Sequence, residues 1–153
     1  MTVARKAAAA LVAAGMAGSA LAAARGPAAE GGFYTAQQAS DGAALYAERC
    51  AACHGPALEG TWEIPALTGK FVANWAGRPV GDLKAYVARA MPQFAPGSLA
   101  PDETDRIVAY LLSANGWPSG ATPLGSGATL DRRLPAPGPR GMAAAAAAKP
   151  GEL

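Results

Sequence analysis

Cys50-Ala51-Ala52-Cys53-His54 holds both cysteines and the only histidine of the 153-residue chain. All of its soft metal-ligand chemistry is therefore gathered in five residues. Two thiols three positions apart at the end of a helical turn can each add to a vinyl group on one porphyrin edge. The adjacent imidazole then reaches the iron from the proximal side only, as an axial ligand fixed by covalent geometry. C-x-x-C-H is the attachment signature of c-type haem. Competing readings are weaker. A structural zinc site needs four N or S donors, and no further Cys or His exists. A thioredoxin-like dithiol would sit beside a βαβ pattern, which nothing upstream of Cys50 resembles. A disulfide across two intervening residues closes too small a loop to remove much chain entropy. The expected cofactor is one haem c, covalent through Cys50 and Cys53, with His54 on the iron.

Working outward, Thr35-Ala36-Gln37-Gln38 is a capping-box pattern, and the helix it opens carries Ala39, Gly42, Tyr46 and Cys50 along one side. This helix delivers the Cys-x-x-Cys-His motif at its C-terminal end. Gly42 is costly in a helix interior, so either a second helix approaches closely there or the glycine is a tolerated surface position. The partner helix begins at Pro101-Asp102-Glu103, shows an apolar stripe of Ile107, Val108, Leu111 and Leu112, and stops at Asn115-Gly116. A third segment, Asp82 to Ala90, places Leu83, Tyr86 and Val87 on one face before Met91-Pro92 ends it. No alternating strand pattern of useful length appears. The expected fold class is all-α, a helical domain around one covalently bound haem.

The two ends read differently. Arg5 and Lys6 followed by an Ala/Leu/Val run to Ala24 match a secretory signal over residues 1–24, cut near Ala22 or Ala24. An uncleaved membrane anchor is the alternative, but Ala and Gly dominate the run and its apolar core is short for a span. A periplasmic location is expected, where covalent haem attachment shields thiols that would otherwise oxidise. The chain has 13 basic and 11 acidic residues, and loss of Arg5 and Lys6 leaves the mature charge neutral, so nucleic-acid binding gains no support. Beyond Trp117-Pro118 the composition turns to Gly, Pro, Ala and Ser, and residues 119–153 read as a disordered tail, a linker or a docking arm. One compact domain over residues 33–118 remains. A domain this small needs the haem as part of its core.

A haem iron with one histidine is completed by methionine, a second histidine, lysine or nothing. After signal removal only Met91 and Met142 remain, and Met142 lies in the low-complexity tail. Met91 is the candidate by elimination. Its loop, Pro92-Gln93-Phe94-Ala95-Pro96-Gly97, is stiffened by prolines that lower the entropy lost when the sulfur is fixed. A gap-filling core methionine is the other reading. A Met/His pair leaves no open position for a substrate and raises the potential, which points to outer-sphere electron transfer.

From Thr35 to Trp117 the chain resembles the class I c-type cytochromes. The matching order is Gly42-x-x-x-Tyr46, Cys50-x-x-Cys53-His54-Gly55, Ile64-Pro65-Ala66-Leu67, Met91-Pro92 and Ile107-Val108-Ala109-Tyr110-Leu111. The resemblance implies that the Pro65 carbonyl accepts a bond from His54 Nδ1–H, and that Gly42 and Tyr46 cross Ile107 and Tyr110. Trp75-Ala76-Gly77-Arg78-Pro79 and Pro96-Gly97-Ser98-Leu99 are similar to cytochrome domains associated with periplasmic quinoprotein dehydrogenases. In that setting Arg78 or Trp75 would bind a haem propionate, though surface charge and core packing explain the same residues equally well. Trp62 either packs on the porphyrin edge or makes a simple hydrophobic contact.

The expected function is a monohaem cytochrome passing single electrons between a donor dehydrogenase or quinol-oxidising complex and an acceptor, in a periplasmic respiratory or dehydrogenase-linked chain. It is not an enzyme in itself. Its expected partners are a redox-protein donor and acceptor, with a quinoprotein dehydrogenase as the candidate, and no membrane span is expected after signal cleavage. One alternative fixes the same domain to a single dehydrogenase complex. A haem enzyme or gas-binding cytochrome with a labile Met91 is disfavoured, because no other histidine can serve as distal acid or base, and the motif lies early in the domain.

Overall fold

The computed structural model describes residues 31–136. The signal segment expected at residues 1–24 and Met142 lie outside the described residues.

Helix α1 spans Ala36–Arg49 and starts as its capping box requires. Gln38 N–H donates to Thr35 Oγ1 at 3.2 Å, and Thr35 N–H donates to Gln38 Oε1 at 3.1 Å. Ala39, Gly42 and Tyr46 form its buried face. Two one-turn and two-turn helices follow, α2 over Ala51–His54 and α3 over Lys70–Trp75, then α4 over Val80–Ala90 and α5 over Pro101–Ala114. Proline opens α5, Glu103 accepts from Ala100 N–H at 3.0 Å, and Asn115 with Gly116 at φ 81° closes it. Among the described residues the only β pairing is two isolated bridges, so the class is all-α.

The α1–α5 crossing is the most extensive packing in the domain, and Gly42 is its reason. A Cβ there would lie 2.5 Å from the Arg106 carbonyl carbon, nearer still to its oxygen, and 3.0 Å from Tyr110 Cβ. The Tyr46 and Tyr110 rings meet one turn on, with centroids 5.1 Å apart at 46°. Around them Ile107, Val108, Leu111 and Leu112 of α5 and Leu83 and Val87 of α4 close the core. Each such side chain contributes about 1.5–3 kcal/mol relative to an exposed one. An ion pair, Lys84 Nζ to Asp105 Oδ1 at 2.6 Å, joins α4 to α5.

Two expectations are corrected here. Tyr86 does not share the burial of Leu83 and Val87; it sits at the edge of that face, 40% exposed. More consequentially, the chain does not become a disordered tail at residue 119. Residues 119–136, including helix α6 at Gly127–Leu130, lie along the domain as a strap, with Leu124, Thr129 and Leu134 buried. Gly120 N–H donates to Tyr34 O at 2.7 Å. The Gln38 amide grips Leu124 from both sides, accepting from its N–H at 2.8 Å and donating to its carbonyl at 2.9 Å. Trp117 Nε1 donates to Pro135 O at 3.1 Å. Ordering this segment is offset by two separated buried leucines, by the hydrogen-bonded Thr129 and by satisfied backbone groups, none of which produces a hydrophobic period. The boundary expected at residue 118 therefore falls within packed structure that continues to residue 136.

Candidate functional site

The Cys-x-x-Cys-His stretch sits where α1 gives way to α2. Cys50 closes α1, its N–H donating to Tyr46 O at 2.9 Å, and its own carbonyl accepts from Cys53 N–H at 3.1 Å and His54 N–H at 2.9 Å. One helical turn thus carries both thiols and the imidazole. Cys53 is exposed and Cys50 only partly so, and no disulfide joins them. Burial, and secondarily the neighbouring Cys53, pushes the Cys50 thiol up to about 11.

The turn after the motif is built around Gly55, at φ 77°, where a side chain would strike the Glu59 carboxylate. Glu59 accepts from Ala57 N–H at 2.7 Å. The Tyr46 hydroxyl donates to Gly55 O at 2.6 Å, tying this turn to the α1–α5 crossing. Burial pushes the Tyr46 hydroxyl well above its ordinary value of 10.0, with smaller contributions from Cys50, Tyr110 and Glu59. Leu58 is held at φ 64°, which costs about 1–2 kcal/mol, and its buried side chain offsets that cost. The loop then returns so that Pro65 O stands 3.0 Å from His54 Nδ1. A carbonyl oxygen can only accept, so Nδ1 is the donor and Nε2 is the ring nitrogen left to meet a metal.

Met91 follows α4 directly, its N–H bonded to Val87 O at 3.0 Å, and is partly buried against the hydrophobic core, as Cys50, Leu67 and Phe71 each are. It is the only methionine among the described residues. Trp75, 8% exposed, packs between Phe71 and Tyr86, with centroids 6.4 and 5.7 Å away. The Arg78 guanidinium lies 4.5 Å above the Trp75 ring and reaches Asp82 at 3.3 Å. Trp75, Arg78, Asp82, Tyr86 and Arg89 line one open hollow, whose two arginines outweigh its single carboxylate. Trp62 is fully exposed and makes no simple hydrophobic contact with the protein.

The donor set fits a haem. Two thiols and an imidazole with a free Nε2 occupy one turn, and a thioether lies in a half-covered apolar surface. Among the described residues no group of three or more His, Cys, Asp and Glu side chains could hold a bare metal ion. Sequence reasoning missed Tyr46 as the anchor of Gly55 and Arg89 as a wall of the hollow. Neither has a local signal, since each depends on a partner brought in by the fold.

The family described as "Cytochrome C oxidase, cbb3-type, subunit III" matches residues 37–111. A protein named "Thiosulfate dehydrogenase" from Stutzerimonas stutzeri (strain A1501) is 32% identical over 94 residues, covering 57% of this chain and 29% of that one. The chain thus spans less than a third of that relative's length. A solved structure, the sulfane dehydrogenase SoxCD from Paracoccus pantotrophus, aligns over 55% of this chain and 46% of its own, with 31% identity and a TM-score of 0.45.

Proposed function

Because the chain carries a c-type cytochrome domain, whose cofactor is covalently bound haem c, we propose that it carries single electrons in a periplasmic respiratory or dehydrogenase-linked chain. The haem supplies a one-electron iron couple. In this reading Cys50 and Cys53 would hold the haem covalently, and His54 Nε2 and Met91 Sδ would ligate its iron. Pro65 holds the imidazole at the angle and protonation that ligation needs. Trp75 and Arg78 would serve the haem carboxylates, where indole and guanidinium donors would offset negative charge.

The observation that carries the reading is the fixed His54–Pro65 contact in a domain whose one described methionine follows α4. With His54 and Met91 both on the iron no position would be left for a substrate, and the chain's residues would bind and tune the haem rather than transform a substrate. Among the described residues no helix is long and apolar enough to cross a membrane.

A second version has the domain held to one dehydrogenase. Its support is the relative named as a thiosulfate dehydrogenase, in which the matching region is part of a much longer chain. Co-purification of a stable dehydrogenase complex would favour it over a freely diffusing carrier.

Absorption spectra of oxidised and reduced haem-loaded protein, with and without carbon monoxide, test the carrier. A weak near-infrared methionine–iron band and no response to carbon monoxide are expected. Prompt carbon monoxide binding without that band overturns the reading in favour of an open iron.

A further inference from the structure

The strap returns over the Trp75–Pro79 turn and holds it through the backbone. Gly77 N–H donates to Leu134 O at 2.7 Å, Leu134 N–H donates to Arg78 O at 2.9 Å, and Val80 N–H donates to Arg132 O at 2.9 Å. Arg133 pairs with Pro79 in an antiparallel bridge, and its guanidinium donates to Gly77 O at 2.8 Å. Arg78 is thus bonded at its own carbonyl and on both sides along the chain, while its side chain is half-exposed over the Trp75 indole. The strap is itself anchored, with Leu134 wholly buried and Pro135 O held by Trp117. None of these bonds involves Cys50, Cys53, His54 or Met91.

We propose that residues 132–134 are a positioning clamp for Arg78, fixing the turn so that its guanidinium stays at the mouth of the hollow and stabilises an anionic carboxylate there. The inference rests on the reading of Arg78 as a partner of the haem carboxylates. A turn frozen before the anion arrives loses little entropy when the ion pair forms. A loosened turn lets the guanidinium follow its exposed neighbour Asp82 into solvent, where screening weakens its effect. The clamp acts through Arg78 and touches no haem ligand, so its loss alters tuning rather than attachment.

Midpoint potentials of the haem-loaded full chain test this in a mutant cycle of Arg78→Ala, Arg133→Ala and the double variant. Leu134→Ala serves as a charge-neutral disruption of the clamp. Removing a cation near the haem favours the oxidised, more positive state, so the potential falls. R78A is expected to shift the one-electron equilibrium by up to about tenfold, 59 mV, and R133A by about twofold in the same direction. L134A should follow R133A, and both shifts should vanish when Arg78 is already alanine. Amide exchange at Gly77 and Val80 should quicken in both clamp variants while haem attachment is retained. An unchanged potential in R78A overturns the carboxylate reading and the clamp with it. A fall in R78A with wild-type potentials in R133A and L134A overturns the clamp alone. Equal R133A shifts with and without Arg78 also overturn it, because Arg133 then acts by its own charge.

Discussion

Replacing Gly42 by alanine loads the α1–α5 crossing with one methyl group, and the sign of the outcome separates a packing role from a tolerated surface position. The new Cβ would stand 2.5 Å from the Arg106 carbonyl carbon, against the ordinary 3.5–4.0 Å between carbons, so the helices must part by about 1 Å. The obstacle is backbone, which no rotamer change can move aside. Overpacking of this kind costs up to about 3 kcal/mol, while exchanging glycine for alanine in a helix returns about 1. The net loss of about 2 kcal/mol lowers Tm by about 10 °C in a domain of this size. Thermal unfolding of the haem-loaded chain, followed by far-UV circular dichroism, measures it. Ala44→Gly, at an exposed position of α1, calibrates the propensity term and should lose about 1 kcal/mol. A G42A protein with a Tm at or above wild type would refute the argument, because only an open surface site lets the propensity gain stand alone.

The remaining predictions concern the site and the strap. Met91→Ala should abolish the near-infrared methionine–iron band and admit carbon monoxide, with haem still attached; retention of the band would place the second ligand elsewhere. Tyr46→Phe removes the 2.6 Å bond to Gly55 O and should cost about 1 kcal/mol at neutral pH, read as a Tm fall of roughly 5 °C. The raised ionisation of Tyr46 means that its neutral form is the one the fold accommodates, so its contribution is complete below pH 10 and is lost as pH rises beyond that. Y46F should therefore have a shallower alkaline fall in Tm than wild type, with Tyr34, raised chiefly by its own burial, keeping part of that slope. Gln38→Ala breaks the capping box and both bonds to Leu124, so limited proteolysis should cut within residues 119–136 at least several-fold faster. An unchanged cleavage rate would show that the buried leucines hold the strap unaided.

The helix ends were legible because they are local. Thr35 and Gln38, Pro101 with Glu103, and Asn115 with Gly116 act within one turn, and the structure has the helix boundaries those residues imply. The short helices α2, α3 and α6 were not legible, since four to six residues carry no period. Tyr86 fell on the apolar face by spacing, yet the edge of that face faces the hollow and leaves it half-open.

By itself the sequence determined the chemistry of the attachment motif and the all-α class. Two cysteines and a histidine in one turn are neighbours whatever the rest of the chain does, and helical caps and stripes are properties of a few consecutive residues. The Pro65 O contact with His54 was implied by the family resemblance; only the tertiary structure decided that Tyr46 holds Gly55 and that residues 132–134 clamp the turn at Arg78. Those contacts join segments nine to fifty-seven residues apart, most of them through backbone groups. Such groups are the same in every residue, and composition therefore leaves no trace of where they will pair.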